Sequence, residues 1–288
     1  MKKITTPLAI VACVLLLPVA ANAQIMSLYQ FDSNLNDTVR TNGAGTVLTG
    51  SDNYSYVSGI IGSALSINGS SSSGTLIRAP QAGAGLSAYT ISAWVNFATA
   101  TPWSTIVKNW GSSVEGAYHF GLFDSNEQLS NFIGTSSGVS AVVAPSTITT
   151  GVWTHAAVTF GGGSQTLFIN GVSVATDAIS GTVVNNFSWM SFGAKLSDDQ
   201  AGVGGPAGWF DGMLDEVAFF NTNLTSTQIL GIYDAGTNGQ SVTTLGYTFE
   251  PYVDPGPVAI PEPGTWAAAA LLVGGAAFMR WRKRTKVS

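Results

Sequence analysis

"FDGMLDEVAFFNTNLTSTQILGIYDAG", residues Phe210–Gly236, carries the reading of the fold. From Phe210 to Phe220 the alternation is that of an extended strand. Met213, Asp215, Val217 and Phe219 fall on one side, and Leu214, Glu216, Ala218 and Phe220 on the other. Both sides are apolar, so the strand is buried on both and at least one of its two carboxylates is desolvated and needs a partner. A polar turn follows. Thr225 with Gln228 three residues on forms a capping box, Ile229, Leu230 and Ile232 supply an apolar helix face, and Gly236 is placed to close the helix.

Working outward, helical periodicity is nearly absent and period-two runs recur between Gly, Ser and Asn clusters. In "YTISAWVNF" (Tyr89–Phe97), Tyr89, Ile91, Ala93, Val95 and Phe97 share one face. "WTHAAVTF" (Trp153–Phe160), "AYHFGLF" and "QLSNFI" also read as strands. "QTLFI" and "VSVAT" flank Asn170-Gly171, a strong short hairpin signal of type I′, because both central residues must take positive φ. About a dozen short strands and one small helix predict an all-β fold, a two-sheet antiparallel jelly-roll sandwich. No internal repeat interrupts it. Residues 24–240 read as the domain, and 241–260, rich in Thr, Pro and Gly, as a linker.

The body is strongly acidic. Between residues 24 and 260 stand four Lys or Arg (Arg40, Arg78, Lys108, Lys195) against fifteen Asp or Glu, a net charge of −11. Such a surface excludes nucleic-acid binding by counterion release. It suits solubility, neutral glycans or cations.

Both ends of the chain carry addresses. Lys2 and Lys3, an apolar run from Leu8 to Ala20 and the small-x-small triplet Ala21-Asn22-Ala23 make residues 1–23 a secretory signal peptide, cut between Ala23 and Gln24. Cys13, the only cysteine, leaves with it, so the exported body has no disulfide, thiolate nucleophile or cysteine metal site. At the other end Pro261-Glu262-Pro263 precedes an apolar segment, then Arg280, Arg282, Lys283, Arg284 and Lys286. Thr265–Met279 as a helix spans about 22 Å, and with Trp266 and Trp281 at its edges and snorkelling arginines it predicts a single transmembrane helix over about 265–281.

The order of triplet, apolar helix and basic tail in residues 261–288 resembles the PEP-CTERM sorting signal of Gram-negative bacteria. That resemblance implies an exosortase-type processing partner, transient anchoring in the inner membrane, cleavage near the triplet, and release to the cell surface or extracellular matrix. The body resembles the laminin-G-like jelly roll of the concanavalin A-like lectin/glucanase superfamily. The matching pieces are "ALSING" (Ala64–Gly69), "YTISAWVNF", "GVWTHAAVTF" (Gly151–Phe160), "LFINGVSV" (Leu167–Val174) and the opening quotation. It implies a structural calcium ion held by an acid in the last strand, Asp215, with a group near the N-terminus, Asp32. Backbone amides are the other partners open to Asp215.

Candidate chemistry is sparse. Glycan hydrolysis needs two carboxylates about 5 to 9.5 Å apart across one bond. Glucanases of the superfamily carry them on a Glu-x-Asp strand, and no Glu-x-Asp occurs here. Asp124 and Glu127 lie across an expected turn. His119 and His155 sit in strands and read as packed core residues, too few for a typical zinc site. Gly83-Ala-Gly85-Leu-Ser-Ala88 mimics a dinucleotide fingerprint but leads into a strand, not a helix. Asp198-Asp199 and the glycines after them read as a solvated loop. Trp103 and Trp110 flank "STIVKN", read as a polar hairpin. Exposed, their flat rings would stack on sugars; buried, they would pack in the core or at a sheet edge. The expectation is an exported, non-enzymatic binding or adhesion module associated with extracellular polysaccharide. The alternatives are a glycan hydrolase and a purely structural matrix component.

Overall fold

The computed structural model describes residues 23–70, 72–124 and 127–249. Residues 1–22 of the expected signal peptide lie outside the described residues. So do residues 250–288, which hold Pro261, Glu262, Pro263 and the expected transmembrane segment. Among the described residues no helix is long and apolar enough to cross a membrane.

Two sheets, antiparallel except for the last short strand of the first, face each other. The first runs β13 (Val172–Ala178), β12 (Ser164–Ile169), β11 (Thr154–Gly161), β6 (Tyr89–Thr99), β15 (Asp211–Phe220), β1 (Gln24–Tyr29) and β16 (Thr248–Phe249). β4 (Ser63–Ile67) lies beside β15 and pairs with β3 (Tyr54–Ser58). The second runs β10 (Gly138–Thr147), β9 (Gln128–Thr135), β8 (Tyr118–Leu122), β7 (Thr105–Asn109), β14 (Trp189–Phe192), β5 (Leu76–Pro80) and β2 (Thr46–Thr49). The expected two-sheet antiparallel sandwich is what the chain forms.

The core lies between the sheets. Tyr89, Ile91, Ala93, Val95 and Phe97 of β6 all enter it, as their alternation requires. Aromatic rings join the layers: Tyr29 meets Phe192 at 4.9 Å and Tyr118 meets Phe219 at 5.8 Å. Each fully buried Phe or Tyr contributes about 2 kcal/mol by removal from water, which lets the domain stand without disulfides. The hairpin at Asn170-Gly171 forms with φ of 49° and 78°, as a type I′ turn demands.

Strand β15 departs from simple alternation. Its register against β6 shifts between Asp215 and Ala218, and Glu216 takes φ of 47°. The extra residue is a β-bulge, so Leu214, Val217 and Phe219 share the sandwich core, while Ala218 and Phe220 face a second cluster under the helix. The expected grouping of Met213 and Asp215 with Val217 and Phe219 is thereby corrected. The bulge falls where β15 changes partners: residues 212–214 pair with β4, and residues 217–220 pair with β1.

Helix α1 (Ser226–Thr237) starts on the expected capping box at Thr225 and Gln228. Its buried residues are Ile229, Ile232, Ala235 and Gly236, and Leu230 is exposed. Gly236 does not close the helix, which is capped at Asn238. It is a contact point, because a Cβ there would lie 2.4 Å from Trp94 Nε1. Residues 241–249, read as the start of the linker, are packed on the domain. Val242 enters the second cluster, and β16 pairs in parallel with β1 through Gln24–Thr248 and Ile25–Phe249.

Arg40 is structural. Its Nε donates to Asp37 Oδ2 at 2.7 Å, and its guanidinium also reaches Gln81 O, Pro80 O and Ser27 Oγ. This is the one ion pair among the described residues, and it clips the 30–45 loop onto the sandwich.

Candidate functional site

Strand pairing sets a single line of residues across the outer face of the second sheet. Ala141 opposes Phe132, Phe132 opposes His119, His119 opposes Lys108, Lys108 opposes Ser191, and Ser191 opposes Arg78. The neighbouring line, Val142, Asn131, Phe120, Val107, Phe192 and Ile77, points inward. Strand period makes the first line outward.

The segment from Gly193 to Phe210 folds back over part of this face. It doubles on itself through a Leu196–Val203 bridge and buries a satellite cluster of Leu76, Ala194 and Leu196. Over this half Arg78 lies 4.5 Å from the Trp189 ring and donates to Gln200 O. The β7–β9 half carries aromatic rings instead. Trp103 meets Phe132 at 5.4 Å, Phe123 at 5.7 Å and His119 at 5.7 Å, and Phe123 stacks on Phe132 at 5.9 Å and 11°. Trp103, Phe123 and Phe132 are each half-buried, so the cluster keeps one side to solvent.

Trp103 is held in an unusual backbone state, φ of 63°. For a bulky L-residue this costs about 1–2 kcal/mol and requires support from its surroundings. The support is visible. Thr101 Oγ1 and Ser104 Oγ both donate to Trp209 O at 3.1 Å, and the Thr105 amide donates to Gly208 O at 3.0 Å.

Two lysines stand near the aromatic rings, Lys108 on β7 and Lys195 on the folded-back segment. Lys108 is 7 % exposed and makes no side-chain hydrogen bond or ion pair among the described residues. Desolvation, and then the nearby Lys195, push its ammonium down to about 7. Lys195 Nζ donates to Gly205 O at 2.7 Å; desolvation lowers it, with Asp198 acting the other way. Asp198 is itself occupied by the amides of Ser112 (2.6 Å) and Ser113 (3.1 Å). His119, desolvated and beside Lys108, is held well below the ordinary imidazole range and is neutral.

Of the residues singled out from sequence, Trp103 joins this face and Trp110 does not share its cluster. They stand at opposite ends of β7, roughly 23 Å of extended chain apart. "STIVKN" is a buried strand of the second sheet, not a polar hairpin. Phe123, Phe132, Lys108 and Lys195 were not singled out. The available signal was scarcity: three of the body's four cations, Arg78, Lys108 and Lys195, gather here.

Asp215 and Asp32 meet at a second place. Asp215 Oδ2 accepts from the Ile60 and Ile61 amides at 3.0 and 3.1 Å, and Asp32 Oδ1 from the Ser63 amide at 2.7 Å. Both carboxylates hold the β3–β4 turn. Asp215 Oδ1 is buried without a partner among the described residues, and desolvation raises this carboxyl to about 8. Glu216, raised chiefly by desolvation, accepts from Gln30 Nε2 (2.9 Å) and Ser241 Oγ (2.6 Å). Among the described residues no three His, Cys, Asp or Glu side chains gather as a ready metal shell.

His155 is buried, bonds Ser92 Oγ through Nε2 at 2.8 Å and sits under Trp94 and Tyr233, a packed position. Asp124 and Glu127 are both exposed.

A family model described as the concanavalin A-like lectin/glucanases superfamily, of laminin-G type, matches residues 69–230. The chain belongs to that superfamily. Among solved structures it is similar to domain 4 of AbnA, a GH43 extracellular arabinanase from Geobacillus stearothermophilus, in complex with arabinotriose. That match has 24% identity and a TM-score of 0.57, over 74% of this chain and 99% of that one. It is also similar to the binding domain of Paraclostridial Mosquitocidal Protein 1, at 18% identity and TM-score 0.57, over 74% of this chain and 52% of that one. A third match is a botulinum neurotoxin type C structure whose cell entry depends on two ganglioside molecules, at 13% identity and TM-score 0.52, over 74% and 51%. The chain thus spans about half the length of the two toxin chains. No curated protein matches it.

Proposed function

We propose that this protein is an exported, non-enzymatic carbohydrate-binding module of the cell surface or extracellular matrix, and that it binds polysaccharide on the outer face of its second sheet. The observation that carries this reading is Trp103, held at φ of 63° with its ring among Phe123, Phe132 and His119 and one side open to solvent. A strained aromatic with dedicated backbone support is costly unless its ring has a use, and flat apolar rings flanked by polar groups are what sugar rings stack on. The sugar and ganglioside ligands named for the similar structures favour the same class. Among the described residues this face carries cations rather than a carboxylate pair, which argues against hydrolysis. Export rests on residues 1–23 and on the PEP-CTERM-like tail, with an exosortase-type enzyme as processing partner.

The test is a polysaccharide array probed with the full chain and with Trp103→Ala. Binding to at least one polysaccharide, lost in the variant, is expected. Binding to none, with and without calcium, would leave a purely structural matrix component.

Calcium is proposed on narrower ground. Asp215 would hold it through the unpartnered Oδ1, with Asp32 bonded to the same β3–β4 turn, and the ion would compensate a buried carboxylate that has no cation partner among the described residues.

A further inference from the structure

The charge distribution on the sugar-stacking face specifies more than a generic glycan. The body carries four Lys or Arg against fifteen acids, so an acidic polymer is repelled by most of its surface. Arg40 is consumed by Asp37. The other three cations all sit on or over one sheet face, and one of them, Lys108, lies in that face with no acceptor among the described residues. Its stem is buried while its ammonium still reaches solvent, so it stands open to an acceptor from outside the domain. Lys108 is the cross-strand neighbour of His119, which Trp103 and Phe132 flank.

We propose that Lys108, assisted by Lys195, receives the carboxylate of an acidic sugar whose ring stacks on Trp103 and Phe132. The ligand class is therefore a uronate-bearing polysaccharide. The proposal rests on the preceding reading of this face as a glycan surface and adds its charge selectivity. Lys195 already donates to Gly205 O and keeps further donors. The carboxylate supplies the acceptor that Lys108 lacks, in a partly desolvated site where a charge-assisted bond is strong. The groups facing Lys108 are Lys195 and neutral His119; Asp198, beyond Lys195, is engaged by the Ser112 and Ser113 amides. Because Lys108 titrates near 7, anion binding takes up a proton and weakens as pH rises through that value.

The experiment measures binding of the full chain to polygalacturonate, alginate and hyaluronan, each beside its carboxyl-reduced counterpart, with dextran sulfate as a further arm. Carboxylated forms are expected to bind more tightly than reduced forms by about tenfold. Lys108→Met is expected to erase that preference, so that carboxylated and reduced forms bind alike. Lys108→Arg is expected to retain binding and lose its decline between pH 6 and 8.5, since Arg does not titrate there. Equal binding of carboxylated and reduced forms, or an unchanged preference in Lys108→Met, would overturn the carboxylate assignment. If Trp103→Ala still abolished all binding in that case, the glycan surface would stand without its charge selectivity. Tighter binding of dextran sulfate than of every uronate would overturn the choice of carboxylate over sulfate.

Discussion

Trp103 and Phe132 stand ring to ring at 5.4 Å, although one lies in a loop before β7 and the other in the middle of β9. The contact depends on the left-handed backbone of Trp103, which turns the indole back over the sheet.

Replacing Trp103 by Gly separates ring from backbone. Glycine takes φ of 63° without strain, recovering about 1–2 kcal/mol and offsetting part of the lost packing. Trp103→Gly is expected to melt within a few degrees of wild type yet lose polysaccharide affinity by about tenfold or more. Affinity electrophoresis and a thermal scan on the same preparation check both.

Asp215 predicts a pH profile. Its folded pKa, about 8, lies above the unfolded value of 3.8. The folded state therefore holds a proton that the unfolded state has released, and stability falls as pH rises through the window from about 4 to about 8. Asp215→Asn keeps an acceptor for the Ile60 and Ile61 amides and is expected to flatten that slope in urea melts. At pH 8.5 calcium is expected to stabilise the wild type and not the Asn variant. A wild type indifferent to calcium removes Asp215 as a ligand.

Two glycines of α1 have opposite expectations. A Cβ at Gly236 would sit 2.4 Å from Trp94 Nε1, and Trp94 is wedged between His155 and Tyr233. A Cβ at Gly231 meets nothing within 4 Å. Gly231→Ala is expected to stabilise by up to about 1 kcal/mol through helix propensity. Gly236→Ala is expected to destabilise by about 1–3 kcal/mol through overpacking, despite the same propensity gain. Chemical denaturation of the pair decides.

Ser241 fastens the segment after the helix. Its hydroxyl donates to Glu216 Oε2 at 2.6 Å. Ser241→Ala leaves a buried carboxylate oxygen short of a donor and is expected to cost about 1–3 kcal/mol. Limited proteolysis, read at residues 241–249, is expected to speed up.

Much of the sandwich is written locally. The β6 alternation, the Asn170-Gly171 turn and the Thr225–Gln228 box each need only a few adjacent residues, and each forms as read. The bulge at Glu216 has no such signature, because a glutamate at positive φ is imposed by the change of partner strand from β4 to β1. The binding face is invisible for another reason. Phe132, His119, Lys108 and Arg78 become one line only once the order of β9, β8, β7, β14 and β5 is known, and that order is not the order of the chain. Gly236 misled because a helix-ending glycine and a glycine that admits an indole look alike in sequence.

The pairing of β16 with β1 has a mechanical consequence. A pull applied beyond Phe249 reaches the short parallel ladder at Gln24–Thr248 and Ile25–Phe249 before it reaches any core strand. With both residues of β16 exposed, that ladder is the weakest joint in the line of force. It lets out slack first, sparing the sandwich and its ring cluster, so under tension the domain yields at its stem.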